Sequence, residues 1–94
     1  MKTTKIVLFE GQKIRRHWDD KKELWYFSVI DVVGVLTDSA IPRRYWSDLK
    51  IKLVEEGSEA YDKIVQLKLI AEDGKLRETD CINTEGAFRL IQSI

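Results

Sequence analysis

At 94 residues the chain has room for one small domain with a modest core, and 44% hydrophobic with 34% charged residues is ordinary globular composition. Sixteen Lys and Arg against sixteen Asp and Glu exclude a uniformly basic nucleic-acid glue, and a single cysteine, Cys81, excludes an internal disulfide. No window approaches the roughly 20 apolar residues of a membrane helix and Met1 to Lys5 is polar, so a cytoplasmic protein with no membrane partner is expected.

In chain order, Ile6 to Phe9 is a short apolar run closed by the turn signal Glu10-Gly11, and Lys13 to Trp18 follows as a polar strand suited to a sheet edge. Asp19 to Glu23 is a charged loop. Leu24 to Phe27, with Trp25 and Tyr26, is rich in strand formers and leads into Ser28.

From Ser28 to Leu53 the pattern predicts two helices joined by a tight corner. Val29, Val32, Val33 and Leu36 recur at i, i+3, i+4 and i+7, with Ser28 as N-cap and Asp31 three residues on, resembling a capping box with Asp in the place of Glu or Gln. Thr37, Asp38 and Ser39 form turns, and Pro42 suits the first position of a second helix. On that helix Tyr45, Leu49 and Leu53, flanked by Trp46, define the buried side, and Tyr45 and Trp46 are read as core. Arg43, Ser47, Lys50 and Val54 form another stripe, with Arg44, Asp48 and Ile51 beyond it. Ile51 and Val54 thus lie on the outer side. They suit thymine methyls, a covering element or a dimer interface.

Gly57 and Ser58 are stop signals. Ile64 to Ile70 and Lys75 to Ile82 alternate about the turn Glu72-Asp73-Gly74 and predict a two-stranded wing. Asn83 or Thr84 caps a last helix, in which Phe88, Ile91 and either Ala87 or Leu90 are expected to be buried. The order predicts an α+β fold: small antiparallel sheets, a helix-turn-helix-like pair, a β-hairpin wing and a C-terminal helix.

Charge is segregated along the chain. Met1 to Trp18 carries five cations against one Glu, Ile41 to Leu53 four against Asp48, and Val54 to Asp62 only acids, four of them. Such blocks can give a neutral protein a basic face. With only His17 and Cys81 as nitrogen or sulfur ligands, far apart, no zinc or iron site is expected. His17 reads as a strand side chain and Cys81 as buried filler. Gly-rich nucleotide loops and a G-x-S-x-G nucleophile are absent from the sequence, so no cofactor and no enzyme activity are expected.

Arg43 and Arg44 read in two ways: as a solvated helix end paired with Asp38 and Asp48, or as contacts to phosphates and guanine edges. In a helix-turn-helix the start of the second helix reaches the bases, the place that Arg43, Arg44 and Ser47 occupy. Cations there oppose the helix dipole, which suits an anionic partner.

The blocks DVVGVLTDSAIPRRYWSDLKIKL and KIVQLKLIAEDGKLRETDCINTEGAFRLIQSI resemble the BRO family N-terminal (Bro-N) domain of prophage proteins, phage antirepressors and related viral proteins. The resemblance extends back through FEGQKIRRHWD and LWYFSVIDV and is most specific in PRRYWSDLK and in TEGAFRLI, which is similar to the family's E-S-G-L-Y-R-L-I. It departs at Ile41, where relatives carry a polar residue before the proline, so capping from Ser39 or by water is expected. The family pattern also continues past the last helix with a proline-containing segment and another apolar helix, so a single domain over 1–94, cut from a longer protein, is expected.

The resemblance implies phage-linked gene regulation. The expected function is a double-stranded DNA-binding module of an antirepressor-like transcription regulator. Arg43, Arg44, Ser47 and Lys50 are expected at the major groove, with Lys52, Lys13, Arg15 and Arg16 as flanking phosphate contacts. About three engaged phosphates correspond to a salt slope near −3. The alternative is a protein-interaction module that binds a repressor or forms a homodimer.

Overall fold

The computed structural model describes the backbone of residues 5–9 and 12–94, and side chains from Ile14 onward. Strands β1 (Lys5–Phe9), β2 (Gln12–Asp19) and β3 (Leu24–Ser28) precede helices α1 (Val29–Thr37), α2 (Pro42–Glu55) and α3 (Glu59–Asp62). Strands β4 (Val65–Ile70) and β5 (Leu76–Asn83) and helix α4 (Thr84–Ser93) complete an α+β fold. The short α3 is an addition to the expected order.

All five strands form one antiparallel sheet in the order β1-β2-β3-β5-β4. The hairpin expected as a wing is therefore continuous with the first three strands, since Tyr26, Phe27 and Ser28 pair with Asn83, Ile82 and Cys81. Its outer half, Leu67 to Thr79, runs past the end of β3 and remains wing-like. β2 pairs with both β1 and β3, so it is interior and not an edge strand.

The pleat sends neighbouring residues of β5 to opposite faces. Ile82 joins Val29, Val33, Trp46, Leu49, Leu53, Ala60 and Leu90 in the main core, while Cys81 packs with Tyr26 and Leu69 in a second cluster. Burying a side chain such as Leu53 completely contributes on the order of 2 kcal/mol.

The Ser28 hydroxyl accepts the Asp31 N–H and caps α1, as the sequence predicts. The reciprocal half of the capping box does not form, because the Asp31 carboxylate is turned to Arg15. Asp38, at φ 53°, closes α1 in the left-handed region and its N–H donates to the Gly34 carbonyl. A Cβ at Gly34 would stand 3.0 Å from Cγ of Pro42, which is how closely the corner folds the two helices together.

Ile41 precedes α2 and supplies no side-chain cap; the Ser39 hydroxyl accepts the Ile41 N–H instead of a helical one. At the other end Gly57 adopts φ 64°, and Ser58 N–H reaches back to the Leu53 carbonyl in a Schellman closure. Ser58 then caps α3 through Ala60 N–H.

Gly74, at φ 80°, makes the β4–β5 turn, and Asn83 caps α4 by accepting the Gly86 N–H. α4 buries Gly86 and Leu90. Phe88 and Ile91, expected in the core, are 64% and 41% exposed. Gly86 has no side chain, so the helix seats on that side and turns its larger residues outward.

Candidate nucleic-acid interface

α2 buries Trp46, Leu49 and Leu53, and Leu53 lies one turn beyond Leu49 and two beyond Trp46. Tyr45, assigned to this side from the sequence, is 37% exposed, because the buried arc is centred on Trp46 and Leu53 and leaves Tyr45 at its margin. The opposite side presents Arg44, Ser47, Asp48, Ile51, Val54 and Glu55 to solvent, with Arg43 beside them at the first turn. Arg43 and Arg44 enter no ion pair among the described residues, and no acid lies in the first turn. Ser47 donates its hydroxyl to the Arg43 carbonyl at 3.1 Å, an intrahelical bond that leaves the oxygen able to accept.

The other expected contacts are placed differently. Arg15, expected as a flanking phosphate contact, is instead engaged in an internal ion pair. Its Nε and Nη2 donate to the two Asp31 oxygens at 2.8 and 3.1 Å, Nη2 also to Ser28 Oγ, and Nη1 to the Ile70 carbonyl. The same carboxylate accepts the Arg15 backbone N–H at 2.9 Å, so one ion pair joins β2, the start of α1 and the end of β4. This pairing holds the Arg15 guanidinium pKa above its ordinary value, chiefly through the hydrogen bonds to Asp31.

Lys50 is likewise withdrawn from the outward stripe. Its Nζ donates to Asp80 at 2.9 Å and lies 5.6 Å from the centre of the Trp46 ring. Asp80 also accepts Trp46 Nε1 at 2.8 Å and Gln66 Nε2 at 3.3 Å, and so fastens α2 to β5 and β4. Burial opposes the Asp80 charge, but these hydrogen bonds outweigh it and hold the carboxyl below its ordinary value.

Arg16 lies over Trp25 with its guanidinium carbon 4.1 Å from the ring centre, and Trp25 meets Trp18 at 5.3 Å. That stacking orders Arg16 against the sheet. Lys52 is exposed on α2, and the Lys13 side chain lies outside the described residues. Of the eight candidates, the structure brings together Arg43, Arg44 and Ser47 on one exposed turn-and-a-half of helix, while Lys52 is exposed on another side of it.

Sequence reading missed Asp80 and the Arg15–Asp31 pair. For Asp80 a signal existed: Trp46 and Lys50 are four residues apart on one helical face, an arrangement that can share an acceptor. Cys81 is buried and its thiol is pushed up to about 12, mainly by burial, so it is inert as a nucleophile. Among the described residues no group of three or more His, Cys, Asp or Glu is placed to hold a metal ion. No helix among them is long and apolar enough to cross a membrane.

No protein-family model matches this chain, and neither a curated protein nor a solved structure matches it.

Proposed function

We propose that the protein is a double-stranded DNA-binding module, of the Bro-N kind that its sequence resembles, acting in an antirepressor-like transcription regulator. The observation that carries the reading is the pair of exposed arginines, Arg43 and Arg44, without an ion pair among the described residues, at the start of the second helix of a helix-turn-helix-like pair. Two guanidinium forks at that place fit phosphates or guanine edges, and Ser47 one turn on fits a phosphate or a base. With Arg15 and Lys50 committed to internal ion pairs, fewer phosphates are engaged than the sequence alone suggests.

Titrating labelled duplex at several salt concentrations tests this. Two engaged phosphates correspond to log K falling against log salt with a slope of about −2. Arg43→Ala with Arg44→Ala removes most of the affinity and flattens the slope. No binding at low salt, or binding indifferent to both substitutions, rejects the reading.

A second reading, a protein-interaction module that grips a repressor or a second copy, is favoured by Ile51 and Val54, 60% and 51% exposed on α2. Ile51→Glu then abolishes repressor capture or self-association, and duplex binding is not salt-sensitive.

A further inference from the structure

The exposed side of α2 carries more than phosphate-binding groups. Along it Arg44, Ser47, Asp48 and Ile51 follow one another at helical spacing, all exposed, so an acid and a branched apolar residue stand where a backbone binder would carry cations. The distance from Arg44 to Ile51 is seven residues, roughly 10 Å along the helix axis. In a helix laid into the major groove, residues at that separation reach bases about two steps apart.

Beyond the arginines, the chemistry of the face at Asp48 and Ile51 matches base edges and not phosphates. A guanidinium suits guanine O6 and N7, a carboxylate accepts from the cytosine amino group and repels phosphate, and an aliphatic side chain suits the thymine methyl. Arg44 and Asp48 stand four residues apart, yet neither enters an ion pair among the described residues. Ile51 gains nothing from water and is held by the same helix that presents Arg44.

Resting on the DNA-binding reading, we propose that Ile51 is a specificity-determining residue, packing on a thymine methyl about two base pairs from the base or phosphate that Arg44 meets. Its partner chemistry is thus a T-containing major-groove site. The acid at Asp48 keeps binding to arbitrary duplex weak.

The test begins with selection of bound sequences from a random duplex pool, followed by replacement of each thymine in the selected site by uracil, which deletes only the methyl. Removing one buried methyl weakens the wild type about three- to five-fold at one position. Ile51→Ala weakens binding to the thymine site by a similar factor and becomes indifferent to uracil there. Ile51 is exposed, so this substitution leaves the fold intact, as circular dichroism checks.

If Arg43→Ala with Arg44→Ala abolishes binding but no uracil replacement changes the wild-type affinity, DNA binding stands and the role of Ile51 is rejected. Selection without any thymine preference rejects it too. Absence of duplex binding by the wild type rejects both proposals together. Loss of self-association in Ile51→Glu with DNA affinity unchanged assigns Ile51 to a protein contact instead.

Discussion

A Cβ built on Gly86 would stand 2.5 Å from Cγ1 of Ile82 and 2.8 Å from Cβ of Lys63. Ile82 is wholly buried and Lys63 Cβ is tied to its backbone, so neither can retreat cheaply. Replacing glycine within a helix ordinarily gains up to about 1 kcal/mol. Overpacking here costs about 1–3 kcal/mol, so Gly86→Ala is expected to destabilise the domain, seen as a lower urea midpoint at unchanged slope. A higher midpoint overturns the close-approach account. Arg15→Met is expected to cost roughly 1–3 kcal/mol, since it strands the Asp31 carboxylate, while leaving the salt slope of duplex binding as it was. A flattened slope returns Arg15 to the interface. Neither Gly86 nor Arg15 announces its role in the sequence. The clash at Gly86 is with residues four and twenty-three positions away, and Arg15 meets Asp31 across sixteen. Ser28 and Asn83 were legible because an N-cap acts within three residues.

Helices and strands were readable wherever one face alone is buried. The capped start of α1, the hairpin turn at Gly74 and the Gly57 stop follow from local chemistry, and so does the buried Trp46–Leu53 side of α2; the stripe expected on α1 holds at Val29, Val32 and Val33 but not at Leu36, which is 40% exposed while Val35 is buried. α4 misleads because its apolar residues form two stripes, and tertiary contact, not periodicity, selects the one containing Gly86 and Leu90. The start of α2 is the element with the clearest local deficit. Ile41 there is 58% exposed, makes no side-chain cap and has little burial to lose. Ile41→Ser supplies an oxygen for a free N–H of the first turn and is expected to stabilise by about 0.5–1 kcal/mol, raising Tm by several degrees in a domain this small. An unchanged or lower Tm in a calorimetric scan means that the first turn is already satisfied by water. The same acid-free first turn offers Arg43 and Arg44 no partner of its own, and none is found among the described residues, so the element's weakness and its proposed use coincide.

At the scale of the molecule, two carboxylates join what the chain order separates. Asp31 binds β2 to α1 and β4, and Asp80 binds α2 to both strands of the hairpin. The sheet order, in which β5 pairs with β3 across three intervening helices, was hidden from the sequence because strand neighbours far apart in the chain leave no local mark. Asp80 makes this architecture sensitive to acid. Its folded-state pKa lies below the ordinary 3.8, held there by Trp46, Lys50 and Gln66 against the opposing effect of burial. The stabilisation is therefore fully present above the unfolded-state value and is lost as pH falls through 3.8 and below, where the unfolded chain takes up the proton first. Asp80→Asn keeps an acceptor for Trp46 Nε1 but removes the charge facing Lys50. Urea unfolding of this variant is expected to show lower stability at neutral pH and a shallower loss between about pH 5 and pH 2 than the wild type. The two curves should converge at the acid end, because there the wild-type carboxyl is protonated and resembles the amide. Parallel curves over that range assign the acid sensitivity to other carboxylates and leave Asp80 as a geometric anchor alone.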